Sequence, residues 1–160
     1  MNKIHPRKRW KYLDGEVRAA AEMLLADIGY KKIPGLSSIN RIFVVDQRRG
    51  YAHVSRDAIT IPRWIFSSWN SFTPKDIDMV IYYVAHEMAH FFAYWGRQRV
   101  DLLTVKPMMM TVRDIGHTPH FMKWFKRICP RQYWHFEAAY SPMSPTHEAA
   151  VVAAGIKRKN

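Results

Sequence analysis

The chain of 160 residues is short of cysteine, of acidic side chains and of long apolar runs, and each shortage excludes something. A single cysteine, Cys129, leaves no internal disulfide and no cysteine-based zinc ribbon, and points to a protein working inside the cell. The longest uninterrupted apolar run, Met79 to Ala85, falls far short of the ~20 residues that cross a bilayer, so no membrane partner is expected. The basic N-terminal stretch Lys3, Arg7, Lys8, Arg9, Lys11 leads into Asp14-Gly15-Glu16 and not into an apolar segment, which is unlike an export signal. Cytoplasmic or nucleoid-associated placement is the expectation. Acidic residues number 13 against 25 Lys and Arg, a net charge of +12. Such an excess favours an anionic partner, nucleic acid first, through non-specific attraction and counterion release.

What is present suits one folded unit. Hydrophobic residues make up 48% of the chain, enough to bury a core, and neither repeats nor linkers divide it. We read residues 1–15 as a basic N-terminal arm, 16–155 as a single domain and 156–160 as a basic tail. Val17, Ala20, Ala21, Leu24, Leu25 and Ile28 recur at helical spacing before Gly29, predicting a first helix from Glu16 to Ile28. Between Arg41 and Ile61, three β-rich runs broken by turn residues predict a small antiparallel sheet, its last strand Ala58 to Ile61 lying at an edge. Thr73-Pro74, Thr118-Pro119 and Ser144-Pro145 each pair a capping hydroxyl with proline at the first helical position. They predict helices from Pro74 to about Trp95, from His120 to Ile128 and from Pro145 to about Ala154. The fold class is therefore α+β, with an N-terminal helix, a three-stranded antiparallel sheet and two helices around the candidate site.

The predicted long helix carries His86-Glu87-Met88-Ala89-His90, an H-E-x-x-H pattern. Histidines four residues apart lie one turn apart on one helix face, where both imidazoles can bind one Zn²⁺ while Glu87 serves as general base toward the attacking water. On a helical wheel, Ile77, Ile81, Val84, Met88, Phe91 and Trp95 lie opposite this face, while Met79 and Tyr83 share the histidine side. A catalytic zinc site needs a third protein ligand and an open position. The extended H-E-x-x-H-x-x-G-x-x-H pattern fails, because Ala93 and Gly96 stand at its last two defined places, and the first downstream glutamate, Glu137, is remote. His117, which extrapolates onto the apolar stripe of Phe121, Trp124, Phe125 and Ile128, is the stronger candidate. His120 lies off that stripe and suits a substrate-side place better than a ligand's.

Together, His86-Glu87-Met88-Ala89-His90 and Gly116-His117-Thr118-Pro119-His120-Phe121 resemble the motifs of the SprT-like, Spartan-related zinc metallopeptidases. In that family a Gly-His-Gly-x-x-Phe type motif supplies the third zinc ligand. The resemblance spans roughly Glu16 to Ile128. Thr118 departs from the family's glycine, and the frequent C-terminal zinc ribbon has no counterpart here. The resemblance implies a minimal zincin fold, one Zn²⁺ held by His86, His90 and His117, and hydrolysis of DNA-associated or DNA-crosslinked proteins of the kind met in DNA repair.

The charge distribution bears on that partner. Arg97 to Arg131 contains eight Lys or Arg against Asp101 and Asp114 and encloses His117. Lys123, Lys126 and Arg127, on the face opposite Phe121 and Phe125, and Arg97 and Arg99 are the candidate contacts to single-stranded or duplex DNA. Trp10, Trp69 and Trp134 are candidates to stack on bases. Tyr83, Tyr133, His135 and His120 are all possible oxyanion partners. The three methionines Met108 to Met110 precede the third histidine and suit apolar packing better than a Met-turn. Two alternatives stand beside the DNA-linked peptidase: a zinc peptidase with a DNA-independent substrate, and a basic DNA-binding or structural protein whose zinc only staples the fold.

Overall fold

A computed structural model of the protein describes residues 11–45, 53–55, 58–66, 73–95, 117–140 and 144–157. Helix α1 (Lys11–Asp27) leads through a 3-10 turn (Ile39–Arg41) into strands β1 (Ile42–Val45), β2 (His53–Ser55) and β3 (Ala58–Pro62). A second 3-10 turn (Arg63–Ile65) precedes helix α2 (Pro74–His90), which runs directly into a π-helical turn over Phe91–Trp95. Helix α3 (Pro119–Ile128), a 3-10 turn (Arg131–Tyr133), helix α4 (Trp134–Tyr140) and helix α5 (Pro145–Ala153) complete the described elements. Among the described residues, no helix is long and apolar enough to cross a membrane.

The chain is mixed helix and strand, mostly helical, but the sheet is not the antiparallel meander that the turn residues suggest. Its order is β1-β3-β2, with β1 parallel to β3 and β2 antiparallel to β3. Strand β3 is central, not an edge. Its burial explains why: Ala58 through Pro62 are buried at every position, as a strand covered on both faces requires. A substrate therefore cannot add to β3. The outer side of β1 is also engaged, since the Val44 backbone N–H donates to Asp14 Oδ1 of α1 at 2.7 Å.

Helix α1 begins at Lys11, so the expected arm over residues 1–15 is partly helical. Gly15 lies within the helix, and Asp14-Gly15-Glu16 does not break it. The helix ends at Gly29 (φ +74), where Tyr30 N–H bonds Leu25 C=O and Gly29 N–H bonds Ala26 C=O, the paired bonds of a Schellman stop. Helix α5 ends the same way at Gly155 (φ +75).

Helix α2 is the organising element. Thr73 and Asp76 form a reciprocal capping box: the Thr73 hydroxyl accepts from Asp76 N–H, and the Asp76 carboxylate accepts from Thr73 N–H at 2.9 Å. From Val80 to Ala89 every residue is buried, because α1 and β3 cover one side of the helix and α3 the other. The wheel is corrected in two ways. The histidine face is covered as well as the apolar face, and Ile77, expected in the core, is 42% exposed.

An added methyl at Gly15 meets nothing within 4 Å, and the residue has no positive φ. Replacing Gly15 by Ala should therefore raise the unfolding free energy by about 0.5–1 kcal/mol. Urea denaturation checks this, and a lowered midpoint would contradict the helical assignment of the segment.

Candidate metal centre

Three of the four helix starts that bear on the site are written into the sequence as hydroxyl plus proline. Thr73 starts the helix carrying His86, Glu87 and His90. Thr118, whose side chain accepts from Phe121 N–H, starts α3 immediately after His117. Ser144 starts α5, its hydroxyl oxygen accepting from His147 N–H at 3.1 Å. Each cap fixes where a helix begins and so which way its first side chains face.

These elements converge on one cluster. His86, His90 and His117 each offer a ring nitrogen, and the three ligand atoms lie within 4.8 Å of one another. His86 Nε2 and His117 Nε2 are 3.1 Å apart. Two nitrogens at about 2.0–2.1 Å from a tetrahedral metal would be about 3.3 Å apart, so the spacing suits a shared ion. Phe121 forms the apolar wall of the cluster, its ring centroid 5.0 Å from His86, 4.5 Å from His90 and 5.0 Å from His117. His86 is buried, while His90 and His117 are half-buried and leave the cluster reachable from one side.

Behind the histidines lies a carboxylate that the sequence reading set aside as too remote. Glu137, on α4, is fully buried and bonds three side chains. Its Oε2 accepts from His86 Nδ1 at 2.7 Å and from Tyr82 OH at 2.9 Å, and its Oε1 accepts from His147 Nε2 at 2.8 Å. Burial alone would raise the Glu137 pKa, but the flanking histidines outweigh it and hold the group well below the usual carboxylate range. Glu137 is thus ionised and can only accept. His86 must therefore carry a proton on Nδ1, so that in the neutral ring Nε2 presents its lone pair toward His117. His147 is fully buried and stacks on His117, with centroids 4.1 Å apart and planes 14° from parallel.

Burial and neighbouring charges shift the titrating groups of the cluster in different directions. Desolvation lowers the pKa of His86, and the adjoining Glu137 carboxylate more than compensates, so it stands above the ordinary histidine value. His90 is held well below it, first by desolvation and then by repulsion from His86 and His117. Glu87 is 3% exposed, and burial pushes its carboxyl up to about 7, against an opposing pull from His86. Its proton affinity lies near neutrality, where a group that takes and returns a proton works best.

The remaining sequence candidates scatter. His120 is exposed at the start of α3 and lies outside the histidine cluster. Tyr83, expected beside the histidines, packs against Tyr82 and edge-on to Trp64; its neighbour Tyr82 is the tyrosine that joins the site. Tyr133 OH donates to Asp78 Oδ1 at 2.8 Å, and His135 packs on Phe136 at 4.2 Å. Lys123 and Arg127 are exposed, but Lys126 is not a free basic contact: its Nζ donates to the Ala154 carbonyl at 2.7 Å and lies over the Trp134 ring. Arg127 lies over the rings of Tyr30 and Trp124. The Trp134 indole donates to the Cys129 carbonyl at 2.8 Å. Arg97, Arg99, Trp10, Trp69 and Met108 to Met110 lie outside the described residues. Glu137, set aside as remote, and His147 have no local spacing that links them to H-E-x-x-H, whereas Tyr82 lies one turn before His86 and its i, i+4 spacing was the signal that could have found it.

Comparison with protein-family models, with curated proteins and with solved structures finds no match.

Three convergent histidines can hold one divalent ion. Replacing His117 by Ala should weaken metal binding by at least about 100-fold through loss of a ligand, whereas His120→Ala should leave it within error. Chelator-competition titration measures both, and equal losses in the two variants would place the third ligand wrongly.

Proposed function

We propose that the protein is a zinc-dependent endopeptidase, with His86, His90 and His117 as metal ligands and Glu87 as general base. The observation that carries this reading is the convergence of His117, in the turn before α3, on the two histidines of H-E-x-x-H, with a buried glutamate between those two in sequence. Three imidazoles, with no fourth ligand in the cluster among the described residues, fit an ion that keeps a position for substrate, and three-histidine sets are a known catalytic zinc arrangement. A sulfur ligand is not supplied: Cys129 is buried, and burial raises its thiol pKa further. When bound, zinc would supply Lewis acidity toward the scissile carbonyl and the attacking water.

The chain's own residues divide the remaining work. Glu87 takes the proton of the attacking water and returns it to the leaving amine, a role matched to a carboxyl raised toward 7. Phe121 excludes water from one side of the cluster. The two motifs and their order resemble those of SprT-like metallopeptidases, which supports a protein substrate and a compact zincin architecture.

DNA is the proposed partner that brings substrate to the site. It is supported by the net charge of +12 and by exposed Lys123 and Arg127 on the helix that begins just after His117. A substrate unrelated to DNA, or a zinc that only staples the fold, are the outcomes this proposal opposes.

Glu87→Gln should lower peptide hydrolysis by roughly 10²–10⁴-fold while leaving zinc content and thermal stability unchanged. Loss of zinc together with activity would instead point to a structural role for the ion. Adding single-stranded or duplex DNA should raise cleavage of a DNA-binding protein at low salt and lose that effect as salt rises. Equal rates with and without DNA would reject the DNA-linked reading and leave the peptidase.

A further inference from the structure

Glu137 and His147 are the buried polar groups next to the histidine cluster that the proposed chemistry does not use. Both side chains are fully buried, and they come from the two helices that follow α3. Glu137 accepts from His86 Nδ1 through one oxygen and from His147 Nε2 through the other. Among the described residues, His147 Nδ1 has no hydrogen-bond partner. Leaving a buried ring nitrogen unpaired is costly, and an apolar ring would fill the same space without that cost. The one hydrogen bond the ring does make, together with its near-parallel stack on His117, gives the histidine a reason to be there.

We propose that Glu137 is a positioning residue for two of the three metal ligands, gripping His86 directly and His117 through the His147 ring stacked on it. The inference rests on the reading of His86, His90 and His117 as a metal site. On the His86 side, the carboxylate dictates the tautomer. An acceptor at Nδ1 engages that nitrogen, so Nε2, which faces His117 Nε2 at 3.1 Å, is the one left for the ion. On the His117 side, the carboxylate fixes the plane of His147, and the stack transmits that plane to the ligand ring. Tyr82 OH occupies a further acceptor site on Oε2, which prevents the carboxylate from rotating away from His86.

Substitution by glutamine separates this role from space filling. A carboxamide has the same shape but only one acceptor oxygen, so its NH₂ must face either His86 or His147. If it faces His86, Nδ1 has to accept, the proton moves to Nε2 and the ligand lone pair is blocked. If it faces His147, the bond from Nε2–H is lost and the stack on His117 is no longer held. His147→Phe keeps a stacked ring but removes its link to Glu137, so it tests the second grip alone.

The test combines zinc affinity, measured by chelator competition on the full chain, with ¹⁵N NMR of the histidine rings in the metal-free protein. Glu137→Gln should lose about 10–100-fold in zinc affinity, the size typical of partners behind a metal ligand, and His147→Phe should lose less. In the wild type, His86 should be protonated on Nδ1. Zinc binding that His117→Ala weakens but Glu137→Gln leaves unchanged would overturn the inference alone. Absence of zinc binding in the wild type would overturn the reading beneath it. If Glu137→Gln fails to fold, the wild-type ring decides, and a His86 Nδ1 without a proton would refute the positioning role.

Discussion

A carboxylate sealed from water must be satisfied, and the second half of this fold is arranged around that requirement at Glu137. Taking an ionised group out of solvent costs several kcal/mol unless hydrogen bonds replace the lost hydration. Here Tyr82 and His86 come from α2 and His147 from α5, while Glu137 itself stands on α4. One carboxylate therefore ties three helices together and, in the same act, orients the ring of a candidate metal ligand. Stability and site geometry share a single set of bonds.

That arrangement is possible because α2 is buried at every position from Val80 to Ala89. Sheet and α1 cover one flank and α3 the other, so the histidine turn is largely enclosed and opens only where His90 is half-buried. The π-helical turn that begins immediately after His90 widens the helix where the ligand face ends, a local irregularity of the kind often found beside functional residues. Apolar packing by Phe121 against all three histidines lowers the local polarity, which strengthens every charge interaction made there.

Features encoded within a few residues were legible in the sequence. The hydroxyl-proline pairs at Thr73, Thr118 and Ser144 marked helix starts that the structure contains, and Gly29 marked a stop. His117 was readable from the apolar stripe of α3, since the residue just before the cap continues that stripe inward. Features that depend on contacts across the chain were not legible. The parallel pairing of β1 with β3 places the third strand in the middle, which two-residue turn signals cannot reveal. Glu137 is 51 residues from His86, a distance at which spacing carries no information. Lys126 looked like a solvent-facing charge because its partner, the Ala154 carbonyl, belongs to a helix end 28 residues away.

The proposed function stands on one zinc ion held by His86, His90 and His117 and open to substrate. X-ray absorption spectroscopy of the zinc-loaded protein measures this most directly. Such a site should show one zinc per chain, with three imidazole nitrogens at about 2.0–2.1 Å and a lighter oxygen shell completing the coordination. A fourth protein ligand, whether imidazole or sulfur, would make the site closed and structural and would contradict it.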